Sequence, residues 1–119
     1  MEYKKTANTM TVDDFRNRLF ISVKMVEEIL SLYRKGKVDG HEPRIQMIGE
    51  NLYQLGGEES LKTAKNKILL ELGNEVLLNI EYLWRDVTKK RRDPLAIHDI
   101  ILIETSGYMT TNLFKQEKL

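Results

Sequence analysis

The chain has 119 residues, of which 41% are hydrophobic and 31% charged, with a formal net charge of +1 and no cysteine. This length accommodates one folded domain, and a near-neutral charge provides no overall field that would attract nucleic acid or an anionic membrane. The lack of cysteine excludes a disulfide framework, a thiolate nucleophile and cysteine-ligated metals. We therefore expect an intracellular, cytoplasmic protein, or a nuclear one if the host is eukaryotic.

Residues 1–10 are polar, contain no apolar run of the kind found in secretory signals, and are predicted to form a flexible arm. A first helix is predicted to begin at Thr11, a typical N-cap residue, with Asp13 and Asp14 in its first turn and Gly36 at its end. Its apolar residues step by three or four and predict one buried row: Phe15, Leu19, Val23, Val26, Leu30 and Tyr33.

Two shorter helices are predicted to follow, separated by a break at Gly56 and Gly57. The buried row of the first contains Ile45, Ile48, Leu52 and Leu55, and that of the second contains Leu61, Ala64, Ile68 and Leu72. Gly49 lies inside the first of these helices, where we expect the backbone of another helix to approach closely. Such short breaks fold neighbouring helices back on one another as antiparallel hairpins.

A fourth helix is predicted from the N-cap Asn74 to the basic run at residues 89–92. Its row contains Val76, Ile80, Leu83 and Val87, widened by Leu77 and Trp84. Asp93 and Pro94 then have the order of another helix start, and Gly107 is expected to end a fifth helix. The β-branched residues 100–103 are equally typical of a short buried strand, but the helical character of the rest of the chain favours a helix.

These rows predict an all-α fold, an antiparallel and mainly up-and-down bundle of four to five helices. The bundle is expected to form a single domain over residues 11–107, followed by a C-terminal tail at residues 108–119. The longest unbroken apolar run, residues 100–103, is far shorter than the roughly 20 residues that a membrane-spanning helix needs. We therefore predict a soluble protein without a membrane partner.

Several large apolar residues fall outside the predicted rows, and they indicate a second buried surface, inside the bundle or between chains. They are Phe20, Met25, Met47, Tyr53 and Tyr82. We take them as the predicted protein interface. The main functional hypothesis is accordingly a non-enzymatic interaction domain, either an adaptor or a self-associating one, whose partner is another protein or a second copy of the chain.

The most concentrated charge in the sequence is basic and predicts an alternative function, binding of nucleic acid or phosphate. The residues that carry it are Arg85, Lys89, Lys90, Arg91 and Arg92. The same run is also typical of a solvated helix end, where cations offset the helix dipole. Asp86 and Asp93 dilute its charge. Binding through this run is expected to weaken steeply as salt rises, whereas binding through an apolar interface is not.

No catalytic or metal-binding pattern is recognised in the sequence. The pairs His41-Glu42 and His98-Asp99 lack metal-ligand spacing, and no serine lies in a nucleophile-elbow sequence. Gly56-Gly57 lacks the spacing of a phosphate-binding loop. We therefore predict no catalytic residue, no cofactor, no metal and no enzymatic activity.

Overall fold

The structure, a computed structural model, describes the backbone of residues 12–117 and the side chains of residues 12–106. This part of the chain contains four α-helices and no strand. The elements are α1 (Val12–Arg34), α2 (Glu42–Leu72), α3 (Asn74–Leu83), a 3₁₀ turn (Val87–Lys89) and α4 (Pro94–Glu117). The predicted all-α bundle is confirmed, whereas the predicted arm at residues 1–10 and the cap Thr11 lie outside the described residues.

The helix α2 is divided by a sharp kink at Gly57, whose backbone angles are φ 71° and ψ −156°. This conformation is open to glycine and strongly unfavourable for residues with a side chain. The predicted break at Gly56-Gly57 is therefore present. We call residues 42–56 the first arm of α2 and residues 58–72 its second arm.

The first arm of α2 lies at the centre of the molecule, and α1 runs antiparallel to it. Near one end of α1, Arg18 contacts the carbonyl oxygen of Leu55, and further along Glu28 pairs with Arg44. The last residue of α1, Arg34, pairs with Glu71 near the end of the second arm. The second arm therefore turns back at the kink and runs alongside α1, in the same direction.

The buried face of α1 differs from the predicted row. Ile21 and Ile29 are fully buried, whereas Phe15, Leu19 and Val23 are 58%, 55% and 49% exposed. The helix has two neighbouring apolar rows, each with a spacing of four residues, and only one of them faces the first arm of α2. The prediction that the first half of the row from Phe15 to Tyr33 is buried is wrong, while Val26 and Leu30 in its second half are buried as expected.

The close approach expected at Gly49 is present, but the group that approaches is a side chain. The indole of Trp84 lies against Gly49, and its Nε1–H donates a 2.8 Å hydrogen bond to the carbonyl oxygen of Ile45. Trp84 is only 4% exposed. The segment that follows α3 is thereby attached to the first arm of α2.

Residues 95–103 form a helix, because they lie within α4. Its start is as predicted: the Oδ1 atom of Asp93 accepts a 3.0 Å hydrogen bond from the backbone N–H of Leu95, and Pro94 occupies the first helical position. Gly107 does not end the helix, which continues to Glu117, so the predicted tail begins as helix. The helix α3 ends at Leu83, before the basic run at residues 89–92 where the fourth helix is predicted to end. Asn74 is the first residue of that helix, and its cap position is occupied by Gly73.

Within the described residues, no helix combines the length and apolar character needed to cross a membrane.

Candidate functional site

An open groove with a volume of about 540 Å³ lies between α1 and the second arm of α2. Its floor is formed by Leu52 and Leu55 of the first arm, which are buried. One wall is the exposed apolar row of α1: Phe15, Leu19 and Val23. We call these three residues the outer row. Because the outer row is half exposed while the floor is buried, the groove presents an uncovered apolar surface to solvent.

The opposite wall of the groove is formed by the second arm, through the small residues Ser60, Thr63 and Ala64 and the longer, charged Glu59 and Lys67. The three small side chains leave the centre of this wall open, so another element can approach the floor there. The second arm faces the groove with residues three and four apart, which is the spacing of one helical face. The walls are thus two helices that run side by side, an arrangement that can accept a third helix.

The end of the groove nearest the kink contains Arg18. Its Nη1 atom lies 3.4 Å from the carbonyl oxygen of Leu55, two residues before the kink at Gly57. Its Nε atom is buried and has no hydrogen-bond partner in the part of the chain that the structure describes. The guanidinium is partly buried and lines the groove, so it gives this end of the groove a positive charge.

The five residues predicted to form a protein interface do not come together in one patch. Met25 is fully buried on the row of α1 that also contains Ile21 and Ile29, so it belongs to a buried surface inside the bundle, one of the two alternatives, and not to a surface between chains. Phe20 and Tyr53 are partly buried against the core. Met47 and Tyr82 are 47% and 62% exposed, but on different helices, and none of the five lines the groove. The sequence does not predict the groove, because its pattern places the outer row in the core.

Three of the five predicted phosphate-binding cations are paired with neighbouring groups. The guanidinium of Arg85 lies 4.1 Å from the centroid of the Tyr82 ring. Lys89 pairs with Asp86 at 2.9 Å and holds the pKa of that carboxyl below its ordinary value. Lys90 pairs with Glu50 at 3.1 Å. The local acidic groups therefore offset much of this charge.

The last two cations of the run differ from each other. Arg92 donates a 3.0 Å hydrogen bond to the carbonyl oxygen of Gln54, beside the kink, and so caps the end of the first arm. The Arg91 side chain makes no hydrogen bond or ion pair within the described part of the chain, while its carbonyl oxygen accepts a hydrogen bond from Gln54. Lys89 is the last residue of the 3₁₀ turn, and residues 90–92 join that turn to α4, so the run does not end an α-helix.

A partly buried ionic cluster connects three helices. Arg44 of α2 donates hydrogen bonds to both carboxylate oxygens of Glu28 in α1 and to both of Glu104 in α4. Glu104 is 8% exposed and also accepts a hydrogen bond from Asn51. Hydrogen bonding to Glu28 is the largest cause that raises the pKa of Arg44. Because Arg44 joins a carboxylate of α1 to one of α4, we assign the cluster a role in attaching α4 to the bundle.

No group of three or more histidine, cysteine, aspartate or glutamate side chains in the described residues is arranged to hold a metal ion. The groove is therefore the surface feature that stands out, and its chemistry is mainly that of apolar contact. No protein-family model, curated protein or solved structure matches this chain.

Proposed function

We propose that this chain is a non-enzymatic protein-interaction domain that binds an amphipathic α-helix in the groove between α1 and the second arm of α2. The observation that carries the proposal is the exposure of Phe15, Leu19 and Val23 above a buried apolar floor. Each Å² of apolar surface removed from water contributes about 25 cal/mol, so an uncovered row of this kind favours association. Because the chain has no cysteine and needs no oxidising compartment, we expect this binding to occur inside the cell.

The geometry of the groove indicates what the bound helix would present. Two parallel walls and an apolar floor favour a helix whose apolar residues recur every three or four positions along one face, which would pack between the walls. The positive charge of the Arg18 guanidinium, which lines one end of the groove, favours an acidic residue near that end of the bound helix. The partner is therefore a protein segment that is apolar on one face and acidic at one end.

The alternative, binding of nucleic acid or phosphate through the basic run, has weaker support. Lys89 and Lys90 are paired with carboxylates, and Arg92 caps the first arm of α2. Phosphate binding would have to compete with these contacts. Titration with duplex DNA and with single-stranded RNA at two salt concentrations tests this alternative, because phosphate contacts weaken steeply with salt.

The proposal is tested by selecting displayed random peptides against the immobilised full chain, with Leu19→Asp as the counter-target. Leu19→Asp places a charge in the centre of the outer row, and Leu19 is 55% exposed, so the substitution should leave the fold intact. We expect the selected peptides to have one apolar helical face and to bind the Leu19→Asp chain at least tenfold more weakly, as a charge buried against apolar groups is unfavourable.

The matched control for this selection is Leu70→Asp, because Leu70 is 83% exposed and does not line the groove. Peptides selected on the native chain should bind this control with unchanged affinity. Far-ultraviolet circular dichroism and the thermal midpoint of both variants confirm that each is folded. Peptides that bind the Leu19→Asp chain as tightly as the native chain, or the absence of any enriched peptide, would contradict the proposal.

A further inference from the structure

We infer that the helix bound in the groove is α1 of a second copy of this chain, so that the domain forms an antiparallel dimer with two-fold symmetry. This inference rests on the proposed function and names its partner. The outer row of α1 is itself an apolar helical face of the kind that the groove would accept. An isologous dimer requires such a surface, because the same patch must serve both copies.

The charges beside the outer row favour this pairing. Arg16 and Glu27 are both exposed, and neither makes an ion pair or hydrogen bond with the part of the chain that the structure describes. They are separated by eleven positions, which is three helical turns to within about 20°, so they lie on the same side of the outer row. In an antiparallel pair of α1 helices, Arg16 of each copy would lie opposite Glu27 of the other.

The apolar residues are consistent with the same register. When Arg16 lies opposite Glu27, the two-fold axis passes beside the point between residues 21 and 22. Leu19 of one copy then lies next to Val23 of the other, since the two are at nearly equal heights along the helix axis. A parallel pairing would instead place Arg16 opposite Arg16 and Glu27 opposite Glu27, which is repulsive. The charge pattern therefore selects the antiparallel arrangement.

The test is sedimentation equilibrium of the full chain from low micromolar to several hundred micromolar concentration. The native chain is expected to approach twice its mass of 13.9 kDa. Arg16→Glu and Glu27→Arg each replace two attractive pairs per dimer with two repulsive ones, and each should raise the dissociation constant about tenfold. Both residues are exposed, so neither substitution is expected to affect folding.

The decisive samples are those in which complementary charges are restored. The double variant Arg16→Glu with Glu27→Arg should dimerise as the native chain does, and so should an equimolar mixture of the two single variants. A parallel dimer, or a dimer formed elsewhere on the surface, would be insensitive to the single changes. That result, or a native chain that stays monomeric throughout, overturns the inference.

Failure of this inference and failure of the proposed function give different results. A monomeric native chain that still selects helical peptides sensitive to Leu19→Asp would leave the groove as a helix-binding site for a different protein. A monomeric chain that selects no such peptide would remove both proposals. Loss of dimerisation on Leu19→Asp, but not on Leu70→Asp, would place the dimer contact at the outer row.

Discussion

Gly49 illustrates how a single residue determines the packing at the centre of the molecule. A side chain at this position would overlap the indole of Trp84, which donates its N–H to the carbonyl oxygen of Ile45. A buried tryptophan usually needs such an acceptor, and the missing side chain at position 49 allows the ring to reach one. The glycine therefore allows Trp84 to pack here, although glycine lowers the intrinsic stability of the helix.

We expect Gly49→Ala to lower the free energy of unfolding by about 1–3 kcal/mol, because the added methyl group overpacks the site beside Trp84. Urea denaturation monitored by circular dichroism measures the effect. The control is the same substitution in a Trp84→Ala background, where the overlap is absent and the higher helix propensity of alanine should make the change neutral or stabilising. An equal loss in both backgrounds would show that the indole is not the cause.

Arg92 and Arg91 show why neighbouring residues of one type can have different roles. Arg92 reaches the carbonyl oxygen of Gln54, three residues before the kink at Gly57, whereas the side chain of Arg91 remains in solvent. The sequence predicts a cluster of cations at this point. It does not indicate that one of them would cap another helix, because the cap depends on a contact between residues 38 positions apart.

The sequence predicts those helix starts and interruptions that depend on the chemistry of the residues at the boundary itself. Asp93 and Pro94 begin α4 as their residue types indicate, and Gly57 interrupts α2 because few other residues adopt its positive φ. Which row of α1 is buried was not predictable. The outer row and the row through Ile21, Met25 and Ile29 have the same spacing, and the choice depends on where the first arm of α2 lies. The groove was missed for that reason.

The helix α4 is attached to the bundle partly through the ionic cluster. We expect Glu104→Gln to reduce the free energy of unfolding by about 1–2 kcal/mol, because Arg44 would lose one of its two carboxylate partners in a partly buried site. Urea denaturation measures this loss. In the Glu104→Gln variant, amide hydrogen exchange should speed up relative to the native chain more in residues 94–106 than in the core of α1, because the attachment of α4 is weakened locally.

The control for this change is Glu71→Gln, since Glu71 pairs with the exposed Arg34 and Lys67 and each such pair contributes less than about 1 kcal/mol. Equal effects of the two substitutions would show that the cluster around Arg44 is no more important for stability than an ordinary surface ion pair.

At the scale of the whole molecule, the other three helices and the second arm of α2 pack around the first arm, and within the described residues the outer row of α1 is left uncovered. The core is continuous from α1 through the second arm to Trp84, so the exposure of the outer row does not result from a missing core. Apolar residues scattered singly on a surface need no explanation, but three on one helical face above a buried floor form a patch. The binding proposals depend on that patch.

The exposure of the outer row is tested most directly by methyl NMR with a soluble gadolinium chelate, at a concentration where the mass is 13.9 kDa. We expect the chelate to broaden the methyl signals of Leu19 and Val23 strongly. Leu30 and Val87, which are 1% and 2% exposed, are the matched controls and should be protected. Protection of Leu19 and Val23 equal to that of these controls, in the monomeric chain, would contradict the exposed groove and both proposals built on it.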